Sequence, residues 1–408
     1  MCASRLGLLA FAGAVAAVSA CSAPGPVVVT GSGVVLYWHS QLVTLGACGQ
    51  SKLMGALTPD AQRVEIVSYD SVANKLTSSV LSPPSGCEPF PVQIAPVDLD
   101  GDGILDLVIS DSGCGTWYAT IGQTCDIGTH LSGTLLPPTE AAPWMGTLGA
   151  GAINGFWMGN YTQVSVFARP NVQAPWVVAS NVMPLMTTIG QSEVSSIATW
   201  IEDPSSGHDA LFFQEGGSAV LLDVEENASD ISLAAPKPMA QGSLETIRPF
   251  WALDQLTFVI DPICGQYAVG LGMFSQSDGM IPHTLQIVGF SGTGYVASQL
   301  DASDARVLAA DVGTDGKEYV ATISDDGAGT ATLKVATIAN CSMIGGQVST
   351  SVSVPTGTTV SPNGMAFISN DGLRSMPDIV LYDGSRAVIC QGGLDAGIDC
   401  EERVANGG

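Results

Sequence analysis

The chain is poor in basic residues and in charge of either sign. Of its 408 residues only 13 are lysine or arginine, against 38 aspartate or glutamate, which gives a formal net charge of −25. A surface of that sign repels phosphate backbones, so we exclude nucleic acid as a partner. Charged residues make up only 12% of the chain, while glycine is abundant at 48 residues. Disordered chains combine high charge with low hydrophobicity, so this composition indicates a folded, turn-rich β protein.

Several catalytic and metal-binding motifs are also absent from the sequence. There is no Cys-x-x-Cys pair, so zinc and dithiol redox chemistry have no support. No Gly-x-Ser-x-Gly elbow, His-Glu-x-x-His pair or phosphate-binding glycine loop is present. The histidines are scattered without zinc-like spacing to another ligand, and they are His39, His130, His208 and His283. We therefore expect a binding protein rather than an enzyme, with no catalytic residue.

The N-terminus carries the one long apolar run of the chain. Arg5 precedes Leu6–Val18, which is too short to span a bilayer and is typical of an export signal. The small residues that run into Cys21 resemble a bacterial lipobox, in which that cysteine is lipidated; the alternative is an ordinary secretory signal cleaved nearby. By this resemblance we expect a cell-envelope protein, at the outer membrane or outside the cell. The expected segments are a signal peptide (1–20), a lipid-anchored tether (21–32) and one folded domain (33–408).

The remaining cysteines are consistent with export. Besides Cys2 and Cys21 there are eight cysteines, and an even number in an exported chain indicates disulfides. Sequence alone leaves many pairings open. Pairing by proximity along the chain predicts Cys114–Cys125 and Cys390–Cys400, followed by Cys48–Cys87 and Cys264–Cys341.

One loop carries the clearest metal-binding pattern. Residues 98–106 read Asp-Leu-Asp-Gly-Asp-Gly-Ile-Leu-Asp, with carboxylates at positions 1, 3, 5 and 9 and glycine at position 6. Calcium takes about six to eight oxygen ligands, which closely spaced aspartates supply readily. The predicted ligands are four side chains and one main-chain carbonyl, from Asp98, Asp100, Asp102, Asp106 and Ile104 respectively.

The residues after this loop distinguish it from an EF-hand. Position 12 of an EF-hand is a bidentate glutamate, whereas this chain has Ile109 there. Residues 107–110 read as a strand and not as an exiting helix. The sequence therefore predicts a calcium loop on a β-hairpin, with a structural role for the metal.

Strand patterns with an acidic or polar first residue recur along the chain. We take the first residues of these segments as anchors, and they are Glu65, Asp106, Gln163, Asp209, Thr257, Glu318 and Asp378. Successive anchors are 41 to 61 residues apart. Three or four short strands per such unit predict an all-β fold, a β-propeller with seven blades, although six or eight blades remain open.

The loop and its exit strand resemble the FG-GAP/VCBS repeat of integrin α-subunit heads and of many exported bacterial proteins. The resemblance is strong over residues 92–111 and weak elsewhere, and the Phe-Gly and Gly-Ala-Pro motifs of the family are absent. It implies a seven-bladed propeller with calcium in hairpin loops between outer strands, and a non-enzymatic binding or adhesion role at the cell surface.

Two other loops keep part of the metal pattern. Asp311 and Asp315 match positions 1 and 5, with Tyr319 at position 9, which predicts at most a weak second site. The loop that ends at Asp378 has Arg374 at position 5, where a metal would need an oxygen.

Two further functions remain open from the sequence. The seven tryptophans can serve as stacking platforms of a carbohydrate-binding propeller or as packing between blades, and they are Trp38, Trp117, Trp144, Trp157, Trp176, Trp200 and Trp251. A lyase or hydrolase with a site at the central channel is the third alternative. The expected partner is a cell-surface protein or a glycan, bound by a monomer with calcium as its cofactor.

Overall fold

The computed structural model describes most of the chain from residue 41 to residue 407. Residues 1–40 and 408 lie outside the described part, and so do the segments 59–62, 84–85, 132–141, 143, 149–153, 160–162, 170–172, 183–195, 204–207, 216–217, 228–229, 234–236, 239–251, 262–264, 274, 277–278, 281–283, 292–293, 302–304, 326–329, 340–341, 354–363, 371–373, 383, 385 and 405. The predicted signal peptide and tether therefore lie outside the described residues.

The first half of the chain forms antiparallel sheets from consecutive strands. The first sheet contains β1 (Gln41–Cys48), β2 (Ser51–Thr58), β3 (Arg63–Asp70) and β4 (Lys75–Leu81). The second contains β5 (Pro91–Val97), β6 (Asp106–Asp111), β7 (Gly115–Ile121) and β8 (Ile127–Leu131). The third contains β9 (Trp144–Leu148), β10 (Asn154–Gly159), β11 (Gln163–Arg169) and β12 (Val177–Val182). The fourth contains β13 (Ser196–Asp203), β14 (His208–Glu215), β15 (Ser218–Asn227) and β16 (Asp230–Leu233), with β17 (Lys237–Pro238) also paired to β15.

The second half repeats this arrangement. The fifth sheet contains β18 (Ala252–Asp261), β19 (Gly265–Met273), β22 (Thr284–Ser291) and β23 (Gly294–Asp301). Between β19 and β22 the chain forms a separate two-stranded sheet of β20 (Ser275–Gln276) and β21 (Gly279–Met280). The sixth contains β24 (Ala305–Val312), β25 (Glu318–Asp325), β26 (Thr330–Ala339) and β27 (Ser342–Ser353). The seventh contains β28 (Met365–Ile368), β29 (Asp378–Tyr382), β30 (Arg386–Gly393) and β31 (Gly397–Val404), and the short β32 (Asn406–Gly407) follows.

The sheets are arranged in a closed ring. The first strand of each sheet contacts the first strand of the next, in the order β1, β5, β9, β13, β18, β24 and β28, and β28 contacts β1 again. Strands run outward in chain order from this inner circle. The fold is thus an all-β propeller in which each sheet is a blade, as the sequence predicts. The sheets numbered here are those of the described residues, and the total of seven blades stays a prediction.

Burial explains why the strands differ in sequence. The second strands of the second and seventh blades, β6 and β29, are buried at every residue, because a neighbouring sheet covers each face. They read as continuous apolar runs after an acidic start. The outer strand β31 alternates between buried and more exposed positions over residues 397–401, whereas in β4 only Leu76 and Leu81 are buried.

The hydrophobic core lies between neighbouring blades and not within one of them. Leu57 and Ile66 of the first blade pack in one cluster with Leu107 and Trp117 of the second. Further clusters join the second blade to the third, the third to the fourth, the sixth to the seventh and the seventh to the first. Each of the six blades in these clusters is therefore stabilised by a neighbour, which makes ring closure a central requirement of the fold.

The strand order corrects the repeat frame inferred from the sequence. Asp106, Asp209, Glu318 and Asp378 lie on second strands, but Glu65 and Gln163 lie on third strands and Thr257 on a first strand. The second strands begin at residues 51, 106, 154, 208, 265, 318 and 378, so their spacing varies only from 48 to 60 residues. The misplaced anchors arose because inner strands of one blade have similar apolar patterns.

Contacts between the seventh and the first blade close the ring. The carboxylate of Glu65, whose side chain is 1% exposed, pairs with Arg63 at 2.7 Å and accepts a hydrogen bond from the Tyr382 hydroxyl. Arg63 also donates to the carbonyl of Gly384 at 2.7 Å. The strand β32 pairs in parallel with β4 of the first blade. The sequence of residues 33–38 also predicts a strand that completes the last blade, and this segment lies outside the described residues.

Three disulfides are described, and two of them differ from the predicted pairs. Cys390–Cys400 joins β30 to β31 as predicted. The other bonds are Cys48–Cys125 and Cys87–Cys114, so the predicted pairs Cys114–Cys125 and Cys48–Cys87 are wrong. Cys114 and Cys125 stand at opposite ends of β7, which at about 3.3 Å per residue separates them too far for a bond. The predicted pair Cys264–Cys341 lies outside the described residues.

The structure shows strands and turns but no helix in the described residues. Accordingly, no helix long and apolar enough to cross a membrane is found in this part of the chain.

The seam between the seventh and first blades provides a test of ring closure. We expect Tyr382→Phe to lower the free energy of unfolding by about 1–3 kcal/mol, because the buried Glu65 carboxylate loses a hydrogen-bond donor. Urea unfolding followed by tryptophan fluorescence measures this loss. The matched control is Tyr69→Phe in the same core cluster, whose hydroxyl bonds two uncharged side chains, Asn74 at 3.4 Å and Gln391. An equal loss of unfolding free energy in the two variants would contradict the role of the Tyr382 hydroxyl as a partner of Glu65.

Candidate metal centre

The predicted calcium loop joins the two inner strands of the second blade. It begins after β5 and ends at β6, which pair in antiparallel register with Val97 opposite Asp106. The predicted hairpin is therefore present. The placement between outer strands that the family resemblance implies is wrong for this chain, since β5 belongs to the inner circle of strands.

The backbone of the loop depends on its glycines and on hydrogen bonds from its aspartates. Gly101 and Gly103 have φ angles of 79° and 88°, a left-handed conformation that side chains disfavour. The Asp98 carboxylate accepts hydrogen bonds from the N–H groups of both glycines, at 2.6 and 3.2 Å. Asp100 accepts one from the N–H of Asp102 at 3.1 Å. The carboxylates thus fold the loop around themselves.

Three of the four predicted carboxylates come together. Oxygen atoms of Asp98, Asp100 and Asp106 lie within 4.8 Å of one another. Asp102 is not part of this group, and its Oδ1 accepts a hydrogen bond from the Ile104 N–H at 2.8 Å. The Ile104 side chain is buried in the core between the first and second blades. Three hard oxygen donors at such spacing suit a divalent cation such as calcium.

Asp106 is the buried member of the group. Its side chain is 0% exposed, and its two oxygens accept hydrogen bonds from the N–H groups of Leu99 and Ile121, each at 2.8 Å. Burial raises the pKa of Asp106 to about 7, and the charges of Asp100 and Asp98 add to the rise against those two hydrogen bonds. Burial likewise raises the pKa of Asp100, together with the charges of Asp102 and Asp98. The site disfavours its own negative charge unless a cation is near.

The loop contacts the first and third blades as well as its own. The N–H of Leu105 donates to the carbonyl of Leu45 in β1 at 3.0 Å. Gln123, between β7 and β8, donates through Nε2 to the carbonyl of Asp102 at 3.0 Å. Arg169, at the end of β11, donates through Nη2 to the carbonyl of Leu99. The loop is therefore a junction of three blades.

Sequence reasoning missed Arg169 and Gln123. Arg169 leaves a weak signal, because it is a charged residue that ends the apolar strand Gln163–Arg169, and its side chain is only 3% exposed. Its contact with a loop 70 residues earlier depends on how the blades pack. Gln123 has no signal in the sequence.

In the sixth-blade loop, the predicted weak second metal site, the aspartate binds side chains of the same loop and strand. Asp315 forms an ion pair with Lys317 at 3.1 Å and accepts a hydrogen bond from the Tyr319 hydroxyl at 3.0 Å. Lys317 thus neutralises the carboxylate that a metal would need, and Tyr319 binds it. Partial burial raises the pKa of Asp315, but the hydrogen bonds from Lys317 outweigh this effect and lower it. The side chain of Asp311 lies outside the described part.

In the seventh-blade loop an arginine stands where the pattern places a metal ligand. Arg374 donates through Nη2 to both oxygens of Asp378, at 2.9 and 3.1 Å. Gln391 donates to the same carboxylate at 2.7 Å, and Asn370 at 3.4 Å. Asp378, 1% exposed, is the counterpart of Asp106 at the start of the second strand. This loop carries its own cation.

The described tryptophan side chains pack in the protein interior. Trp117 and Trp157 are 1% and 2% exposed and belong to core clusters between blades. Trp176 is half-buried and lies under the guanidinium of Arg169, with 4.8 Å from that group to the ring centre. The remaining four tryptophan side chains lie outside the described part of the chain. The described rings favour packing over sugar stacking.

Comparisons with known proteins identify no family. No family model matches the chain, and no curated protein matches it. Solved structures with a similar arrangement include a protein from Lactobacillus plantarum, with 14% identity, 90% of this chain and 96% of that chain covered, and a TM-score of 0.49. An ulvan lyase, described as a new family of polysaccharide lyase, has 8% identity, 94% of each chain covered and a TM-score of 0.48. The extracellular domains of Drosophila semaphorin 1a have 10% identity, 92% and 87% covered and a TM-score of 0.44. Likenesses of this size carry no information about function.

The raised pKa of Asp106 predicts a pH dependence of stability. The unfolded carboxyl titrates near pH 4 and the folded one near pH 7 without metal, so the folded state binds the extra proton between these values. The binding of this proton stabilises the folded state fully below about pH 4. This stabilisation, up to about 4 kcal/mol of the free energy of unfolding, is lost as the pH rises through 7. A metal competes with that proton. We therefore expect calcium to add more to the free energy of unfolding at pH 8 than at pH 5.

Urea unfolding with calcium or with chelator at both pH values measures the difference. An equal or smaller calcium increment at pH 8 would contradict the burial of a titrating Asp106.

Proposed function

We propose that the protein is an exported, non-enzymatic binding propeller of the FG-GAP/VCBS type, stabilised by calcium in its second blade. The observation that carries this proposal is the convergence of Asp98, Asp100 and Asp106 in a loop between two inner strands. The partner is a cell-surface protein or a glycan. Export and attachment through lipidated Cys21 at the cell envelope are part of the proposal and rest on the sequence.

The donors in the loop fit calcium. Asp98, Asp100 and Asp106 would hold the ion through carboxylate oxygens, and the predicted ligands Asp102 and Ile104 lie in the same loop. All of these donors are hard oxygens, which suit calcium and magnesium better than zinc or copper. When bound, the ion supplies positive charge that offsets three neighbouring carboxylates.

The positions of the carboxylates favour a structural metal over a catalytic one. Each of the three also accepts hydrogen bonds from main-chain N–H groups, so each already has a role in shaping the loop. The loop in turn contacts three blades. Calcium at this place would hold the junction together, much as a disulfide does, and leave the rest of the surface to bind a partner.

A pair of variants tests the metal assignment. We expect Asp100→Asn to weaken calcium binding at least tenfold and to reduce the calcium-induced rise in Tm, because it removes one charged ligand of three. Asp315→Asn is the matched control, since that carboxylate is paired with Lys317 in the sixth blade. Isothermal titration calorimetry and thermal unfolding measure both quantities. A wild-type protein whose Tm does not change with chelator would contradict the assignment.

A binding screen tests the function itself. The lipid-free protein is applied to glycan arrays and to isolated cell-envelope proteins, with calcium and with chelator. The expected result is a saturable partner that the calcium-loaded protein retains and the Asp100→Asn variant binds less well. Turnover of a polysaccharide by the purified protein would overturn the non-enzymatic proposal in favour of the lyase alternative.

A further inference from the structure

The third blade places a buried cation beside the metal loop of the second. Arg169 is 3% exposed, and its guanidinium donates to the carbonyl of Leu99, the residue between Asp98 and Asp100. Trp176 covers the guanidinium at 4.8 Å. A buried arginine requires partners for its charge, and cation–π contact with a ring supplies only part of them. The charges that face it decide its role.

Those charges are the carboxylates of the metal loop. Burial lowers the pKa of Arg169, while the negative charges of Asp98, Asp106 and Asp100 act in the opposite direction. The interaction is mutual, so the guanidinium also offsets the repulsion among these carboxylates. In a site away from bulk water such interactions are stronger than at the surface.

The seventh blade shows the same chemistry in a closer form. Arg374 binds both oxygens of Asp378, which is the counterpart of Asp106 at the start of the second strand. A protein-borne cation thus pairs with the buried carboxylate in that loop. In the second blade the arginine comes from the neighbouring blade, and its guanidinium donates to the carbonyl of the residue between two of the carboxylates.

We propose that Arg169 is a resident counter-ion of the calcium loop, which holds the three carboxylates together without metal and lowers the affinity for calcium. This inference rests on the calcium site proposed above. The guanidinium reduces the net charge that a divalent cation meets from three negative charges to two. Because calcium affinity rises with the number of charged ligands, removal of the arginine tightens calcium binding and destabilises the metal-free protein.

The direction in which calcium affinity changes when Arg169 is removed distinguishes a counter-ion from a residue with only a structural role. A residue that only holds the Leu99 carbonyl in place would, when removed, weaken calcium binding along with stability. A counter-ion predicts opposite signs for the two effects. This difference makes the proposal testable by metal titration on the full chain, without any assay of the partner.

The experiment compares Arg169→Met with Arg169→Lys. We expect Arg169→Met to bind calcium about three- to tenfold more tightly than wild type, and to have a lower Tm in chelator and a larger Tm rise with calcium. Arg169→Lys keeps the charge, so its calcium affinity stays close to that of wild type. Arg403→Met removes one positive charge from a partly buried side chain that pairs with Glu401 and bonds Asn74, so its calcium affinity alone serves as the control for net charge. Calcium titration calorimetry and thermal unfolding provide the measurements.

Each outcome is decisive. Unchanged or weaker calcium binding by Arg169→Met overturns the inference while the calcium site stands, and equal tightening by Arg169→Lys or Arg403→Met overturns it as well. Calcium binding by Arg169→Met but not by wild type supports the counter-ion and overturns calcium as the native cofactor. Absence of binding in both overturns both. If Arg169→Met and Arg169→Gln fail to fold even in calcium, the inference is overturned, since calcium should replace the missing charge.

Discussion

A carboxylate buried between two sheets must find a cation or several N–H donors, because its desolvation is otherwise too costly. The described blades solve this problem in different ways. Glu65 has Arg63 and the hydroxyl of Tyr382. Asp378 has Arg374 and Gln391. Asp106 has two main-chain N–H groups and lies in an acidic loop, so it is the carboxylate in this set with a need for a further cation.

Most partners of these carboxylates belong to the same blade, but two of the polar contacts cross a boundary between blades. Tyr382 belongs to the seventh blade and Glu65 to the first, while Arg169 belongs to the third blade and the metal loop to the second. These two polar contacts lie at blade boundaries that hydrophobic clusters also cross, between the seventh and first blades and between the second and third. Apolar packing between blades is tolerant of small shifts, whereas an ion pair or a hydrogen bond to a buried carboxylate fixes one register. The hydrogen bond from Tyr382 to Glu65 therefore helps to align the seventh blade with the first.

Much of the architecture follows from the sequence because it depends on local patterns. Alternation, glycine-rich turns and an acidic start before an apolar run predict the strands, the propeller and the loop at residues 98–106. The frame of the repeats does not follow, since inner strands are apolar on both faces and look alike. The disulfide partners of Cys48 and Cys87 do not follow either, because Cys48–Cys125 joins two blades and Cys87–Cys114 joins the segment before β5 to the turn after β6. Arg169 is a long-range contact of the same kind.

The three aspartate-containing loops differ in what surrounds their carboxylates. The sixth-blade loop binds its aspartate with Lys317 and Tyr319, and the seventh-blade loop binds its buried aspartate with Arg374. Each therefore carries positive charge from the chain in the place where the second blade gathers carboxylates. A loop that gathers carboxylates and a loop that pairs its buried aspartate with an arginine are thus two arrangements of the same turn, and their sequences differ at several positions. The aspartates of the second blade therefore identify a junction of three blades at which negative charge is gathered.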